Sequence, residues 1–280
     1  MGQYKKLWYM LIGVLAVTFT LLGYLGVEVY RQSPPFPEKF VSADGKVLLT
    51  KDDIFKGQSA WQSTGGMELG SVLGHGAYQA PDWTADWLHR ELEAWLDLTA
   101  QADFGKKYAE LDKVQQETVR AKMIQEYRFN SGVQEDGSVK LSDARIKAIE
   151  SIAPYYIGLY GDEPSLNKSR EHFAMRTNTL PDAEARQKLT NFFFWTAWTA
   201  STNRPNTEAT YTNNWPHEPL INNVPTTENY MWSFASFVFL LAGIGFLVWG
   251  YHFLRSHDDT PKAPASDPLA KITLTPSQKA

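Results

Sequence analysis

Two long apolar runs mark the ends of this chain. Leu7 to Val27 (LWYMLIGVLAVTFTLLGYLGV) contains no charged residue, and Tyr230 to Leu254 (YMWSFASFVFLLAGIGFLVWGYHFL) has His252 as its one ionisable group. About 20 apolar residues suffice to cross a bilayer as a helix, so the pattern predicts transmembrane helices at residues 7–29 and 230–254. The first run exceeds the ~7–15 apolar residues of a signal peptide, and no small-x-small cleavage site precedes Arg31, so it reads as an anchor. Trp8, Tyr9, Tyr30, Tyr230, Trp232, Trp249 and Tyr251 lie near the span ends, where interfacial aromatics gather. Beyond the spans, Lys5, Lys6, Arg255, Lys262, Lys271 and Lys279 outnumber the acidic residues, whereas acidic residues exceed basic ones between them. Positive charge stays inside. That bias puts residues 1–6 and 255–280 in the cytoplasm and 30–229 outside the membrane.

Between the spans the pattern changes to that of a mostly helical soluble domain. QSPPFPEKF after Arg31 is too rich in proline for regular helix and reads as an extended exit. Val41 to Ile54 and Val133 to Ile146 share Val, Asp-Gly, Val, Leu, a hydroxyl residue and Ile at equal offsets. Each predicts a hairpin around Asp44-Gly45 or Asp136-Gly137, followed by a helix capped by Thr50 or Ser142. Apolar residues recur at helical spacing in Trp87, Leu88, Leu92, Trp95 and Leu96, and again in Tyr108, Leu111, Val114, Val119, Met123 and Tyr127. Leu180-Pro181-Asp182 announces a helix over Ala183–Ala200, whose Phe192-Phe193-Phe194-Trp195 must be buried. Ser201 to Thr227, rich in Asn, Thr and Pro, predicts an irregular connector.

Composition removes several chemistries. With no cysteine there is no disulfide, thiolate metal site, catalytic thiol or thioether-linked haem. A formal charge of −4 offers nucleic acid no general grip. His75, His89, His172 and His217 lack the His-x-His or His-x-x-x-His spacing of a metal site. Glu91 and Glu93 point to different sides of one helix, Asp52-Asp53 read as first-turn residues, and no G-x-S-x-G elbow is present. The 10 Trp fall mainly at helical core positions or span ends, which favours packing over sugar stacking.

The densest signal is Trp61 to Trp87, WQSTGGMELGSVLGHGAYQAPDWTADW. Gly65, Gly66, Gly70, Gly74 and Gly76 permit tight turns and close approach, and Pro81-Asp82 closes the loop before a helix. No GKS or GKT ending follows, so a loop shaped to pack on a membrane partner fits better than a phosphate cradle.

This stretch, with FFFWTAWTASTNRPNTEATYTNNWPHEP and the second span, resembles the N-terminal region of the quinol-dependent, single-chain bacterial nitric oxide reductases. The resemblance covers nearly the whole chain. It implies a cytochrome c-like extracytoplasmic domain, with short β-hairpins, between two transmembrane helices. In the related two-subunit enzymes the equivalent domain carries haem c on a CxxCH motif. Here Trp61 matches the Trp that precedes that motif, Gly66 and Leu69 stand at the cysteines, and Gly70 stands at the ligating histidine. The resemblance therefore implies a haem site lost with its scaffold kept. It also implies that Gly76, through its carbonyl, and Tyr78 help hold a calcium ion shared with the catalytic part. Two oxygens are too few for the 6–8 that Ca²⁺ takes, and the alternative at Tyr78 is a ring packed under the loop.

Full-length relatives continue into a helical bundle with haem b, haem b3 and a non-haem iron, which reduces two NO to N2O with electrons from quinol. None of that bundle lies in this sequence. The resemblance thus implies a capping module of the bacterial inner membrane, partnered by the catalytic bundle and lipid, with no cofactor of its own and no reductase activity alone. Competing readings are a non-enzymatic anchor or assembly subunit of a respiratory complex, and an extracytoplasmic sensor that reads its ligand with exposed Trp. At the C-terminus, Leu274-Thr275-Pro276-Ser277-Gln278 carries a staple residue, N-cap, N1 proline and capping-box Gln. A further helix is predicted to begin there, in a longer polypeptide.

Overall fold

A computed structural model describes residues 2–256, and the helix start predicted at Leu274–Ala280 lies outside them. The chain divides into two units, residues 1–226 and 227–280. The first opens with α1 (Gly2–Arg31) and the second with α8 (Thr227–Ser256). Both helices expose large apolar side chains all round, and the windows Trp8–Arg31 and Thr227–Leu254 are long and apolar enough to cross a membrane.

After α1 the chain forms β1 (Lys39–Ser42) and β2 (Val47–Thr50), an antiparallel hairpin turning at Asp44-Gly45 as the sequence predicts. The helix that follows, α2 (Lys51–Ser63), starts in a reciprocal capping box. Thr50 Oγ1 accepts the Asp53 amide, while the Asp53 carboxylate accepts the Thr50 amide at 2.8 Å. The second matching unit behaves differently. Only β5 (Ser138–Leu141) forms, and it adds in parallel to β1, Lys39 opposite Ser138 and Ser42 opposite Leu141, giving the order β2-β1-β5. The expected second hairpin is replaced by a turn in which the Asp136 carboxylate accepts the Ser138 amide and hydroxyl. Backbone pairing to β1 satisfies the strand that a hairpin partner would otherwise satisfy. Ser142 caps α5 (Asp143–Tyr160) as expected.

The remaining helices are α3 (Trp83–Phe104), α4 (Lys113–Ile124), α6 (Asn167–His172) and α7 (Ala183–Ser201). The helical pattern over residues 108–127 is in fact three pieces. A 3₁₀ turn at Tyr108–Glu110 precedes α4, and a π turn at Gln125–Phe129 follows it. Val114 is 77% exposed, whereas Val119 and Met123 on the inner face of α4 are buried.

Helices α2, α3, α5 and α7 enclose the core. Phe193 lies at its centre, stacked on Trp83 with ring centroids 5.6 Å apart and edge-on to Tyr156 at 5.7 Å. Phe194 and Trp198 meet Phe40 of β1 edge-on at 5.1 and 5.5 Å. The burial expected of Phe192–Trp195 is therefore met by a helix packed on both sides. Helix α2 runs closest to α7 at Gly57, where a Cβ would come within 2.1 Å of the Lys188 carbonyl.

Residues 202–226 are irregular, as expected, apart from a 3₁₀ turn at Pro219–Ile221, yet held at many points. Arg128 donates to Asn223 Oδ1 at 2.9 Å and to the Glu208 carbonyl at 2.6 Å, Arg120 donates to the Pro219 carbonyl at 2.7 Å, and His89 bonds Glu218 at 2.9 Å. Ordered side chains thus replace a regular ladder as partners for the connector's backbone.

Candidate functional site

The glycine-rich loop between α2 and α3 is built around one carboxylate. Asp82 caps α3, its Oδ1 accepting the amides of Thr84 (3.0 Å) and Ala85 (3.1 Å), while its Oδ2 accepts the Ser71 hydroxyl (2.7 Å) and the Gly74 amide (2.9 Å). A charge placed at a helix N-terminus and bonded four times fixes both the helix start and the loop's return. Within the loop, β3 (Ser71–Val72) pairs with β4 (His75–Gly76), and the Thr84 hydroxyl accepts the Leu73 amide at 3.0 Å.

The positions matched to a haem attachment fall in one tight turn. The Leu69 amide donates to the Gly66 carbonyl at 3.1 Å, and Gly70 follows at φ +84°. A Cβ on Gly70 would lie 2.6 Å from the Pro81 carbonyl and 2.7 Å from Trp83 Nε1, so no side chain can stand there without moving the loop. Trp83 itself is buried and donates to the Leu69 carbonyl at 2.7 Å. Trp61 lies beneath Gly66, whose Cβ would touch its ring at 3.9 Å. With no thiol, no imidazole and no volume at Gly70, these residues do not fit a covalently held haem. Its ligand position is closed by backbone and indole.

Gly76 folds back on the same turn, where a Cβ would come within 2.3 Å of the Gly70 carbonyl. Behind it the Ala77 amide donates to the Met67 carbonyl at 2.7 Å. The loop thereby brings Gly66, Leu69, Gly70 and Gly76 together and turns Tyr78 outward. Tyr78 is 99% exposed, so the alternative of a ring packed beneath the loop is wrong: Trp61 and Trp83 already fill that space. Met67, His75 and Gly76 share the exposed edge. Among the described residues no group of three or more His, Asp or Glu is placed to hold a metal. Any cation at Gly76 and Tyr78 needs oxygens from another polypeptide segment.

The glycines are conspicuous in the sequence, but Trp83, the residue that closes the loop, is not. Its signal is its place next to the capping Asp82, which commits the indole to the inner face of the loop's return. Around it, Tyr160 packs at 5.5 Å and Phe173 edge-on at 6.1 Å. Burial pushes the Tyr160 phenol well above its usual range. Trp61, Trp83, Trp87 and Trp95 are all buried, which overturns a sensor that reads its ligand through these rings.

The fold and the loop describe a mostly helical domain whose glycine-rich turn is filled by backbone and indole. Residues 37–217 match the NorB family of cytochrome c-like domains from nitric oxide reductase, and the chain belongs to that family. No match was found among the curated proteins.

Proposed function

We propose that the chain is the N-terminal module of a quinol-dependent nitric oxide reductase and caps the outward face of the catalytic helical bundle. In the complete reaction quinol gives two electrons and two protons to two NO, yielding N2O, water and quinone. The haem b, haem b3 and non-haem iron that carry this chemistry belong to the bundle. What this chain supplies is a cover: it shields the haem propionates and governs water and proton access from outside the membrane. Helices α1 and α8 anchor it in the bacterial inner membrane, with both termini cytoplasmic and the domain periplasmic.

The observation that carries this reading is the loop at Gly66–Tyr78. Its turn is tightly packed with no room for a side chain at Gly70, and its outer edge presents an uncovered tyrosine beside a backbone turn. An edge so built suits docking to a partner rather than holding a redox group. On this reading the Gly76 carbonyl and Tyr78 supply two oxygens to a calcium ion completed by the bundle.

The test is to express the chain alone and together with the catalytic bundle of a quinol-type enzyme. Alone, it should stay in the membrane through alkaline carbonate extraction, show no stoichiometric haem absorbance and make no N2O. With the bundle it should co-purify, and chelation of calcium or Tyr78→Ala should weaken that association. Haem or N2O from the chain alone, or no association with the bundle, would overturn the proposal.

A further inference from the structure

A second cleft lies where the domain meets the end of α1. It encloses about 570 Å³ and is lined by Arg128, Phe129, Val133, Asn203, Arg204 and Tyr211 among others. Three features set it apart from an ordinary surface groove. Its two arginines make no ion pair with any carboxylate among the described residues, although Glu208 lies on the rim. Burial holds both guanidinium pKa values below the ordinary arginine range, with Glu208 offsetting part of this at Arg128 and Tyr211 at Arg204. Asn203, only 9% exposed, has neither its amide nitrogen nor its amide oxygen hydrogen-bonded. Buried polar groups are nearly always paired, but both Asn203 amide atoms are shut off from solvent, so a guest in the cleft meets Arg204 rather than this amide.

The donors can be counted. Both terminal nitrogens of Arg128 bond twice within the protein, to Asn222, Asn223, Glu208 and Asn214, so only its Nε donor is left and it contributes mainly field. Arg204 gives Nε to the Thr210 carbonyl, one terminal N–H to Gln32 and one to the Tyr211 carbonyl. A guanidinium has five N–H donors, so two remain on Arg204. Phe129 and Val133, on the same cleft, are exposed apolar residues.

We propose that this cleft seats the phosphate of an anionic phospholipid, bound by Arg204 with the acyl-glycerol portion against Phe129 and Val133. Position selects lipid over a free anion. Arg204 is one hydrogen bond, 3.0 Å, from Gln32, the first residue after α1, so the site lies at the level of the headgroups. This rests on the reading of α1 as a membrane span. A basic side chain beside exposed apolar residues matches the charge above and hydrocarbon below of that layer. Phosphatidylglycerol brings a net negative charge to the free N–H donors of Arg204, which a zwitterionic choline headgroup does not.

The experiment uses the full chain, purified in mild detergent and incubated with equal amounts of phosphatidylglycerol and phosphatidylcholine, with retained lipid counted by native mass spectrometry. Phosphatidylglycerol should be retained over phosphatidylcholine by roughly five-fold, the scale of one basic side chain near an anionic surface. Arg204→Gln should abolish the preference, and Lys168→Gln, outside the cleft, should keep it. Should Arg204→Gln lose its fold, Phe129→Ser decides, because that side chain is exposed and its loss should lower lipid retention in a folded chain. Equal retention of both lipids by a chain that inserts in bilayers overturns the proposal, as does release of phosphatidylglycerol by millimolar inorganic phosphate. A chain that does not enter bilayers at all overturns the span reading, and the lipid site with it.

Discussion

Glu91 and Arg145 meet with neither side chain exposed. Arg145 Nε donates to Glu91 Oε1 at 2.9 Å, and Trp87 Nε1 donates to Glu91 Oε2 at 2.8 Å. The guanidinium lies 4.1 Å over the Tyr127 ring, where the π face shares its charge, and its two terminal nitrogens have no partner within the protein. Removing one partner of a buried pair strands the other charge and costs about 3–5 kcal/mol, whereas replacing both by apolar groups is often close to neutral. Glu91→Gln should therefore lower stability by about that amount, and Glu91→Leu combined with Arg145→Met should restore most of it. Urea unfolding in detergent checks this, and a single variant within about 1 kcal/mol of the parent, or a double variant worse than the single, would refute it. The pair is not legible in the sequence. Helical geometry separates Glu91 from Glu93, but an arginine in the first turn of a helix reads as solvated. Nothing local indicates that its partner lies 54 residues earlier.

At the scale of elements, the contact between α2 and α7 depends on one missing methyl group and one ion pair. Gly57 sits against the Lys188 carbonyl with no room for a Cβ, so Gly57→Ala must push the helices apart, at a cost of about 1–3 kcal/mol. Lys188 also donates to Asp53 at 2.6 Å. Burial raises the Asp53 pKa, but the bonds from Lys188 and Thr50 outweigh it, and the net shift is downward from the usual 3.8. A depressed carboxylate contributes stability above its unfolded pKa and loses it as pH falls through the lower folded value. Asp53→Asn should accordingly cost about 1 kcal/mol at pH 7, through the weakened cap and the lost pair, and the gap should close as pH falls below the usual 3.8 through the lower folded value. Thermal melts of both proteins across pH 2–7 measure it; a constant difference would contradict the assignment. These elements are largely readable in advance, because caps and apolar spacing are local. The second hairpin is not, since the choice of β5 to join β1 in parallel is made by a partner about a hundred residues away.

For the molecule as a whole, what the sequence does not reveal is how the irregular connector is fastened. His89, Arg120 and Arg128 come from three separate elements to hold residues 208–223, each across 80 or more residues of chain. Periodicity carries no information about such contacts. The glycine loop is readable as a unit because its residues are contiguous, but its closure by Trp83 and the outward turn of Tyr78 require the packed structure.

The same packing makes the core's response to alkali measurable. Tyr127, Tyr156 and Tyr160 are buried, and burial drives all three phenols well above the usual value of 10.0. Unfolded, each ionises near pH 10, whereas the native state keeps its proton, so the native form binds more protons and stability falls as pH rises above 10. Each such tyrosine adds about 1.4 kcal/mol per pH unit to that decline. Tyr160 isolates the effect, because its hydroxyl has no hydrogen-bond partner. Tyr160→Phe should leave stability at pH 7 unchanged or slightly higher, since no bond is lost and an unpaired buried hydroxyl is removed. Above pH 10 it should flatten the decline by about 1.4 kcal/mol per pH unit. Unfolding midpoints from pH 7 to 12, read beside tyrosinate absorbance at 295 nm, separate the outcomes. A native protein in which every tyrosine titrates near pH 10, or a Tyr160→Phe variant with the parent's slope, would show that solvent reaches this core before it unfolds.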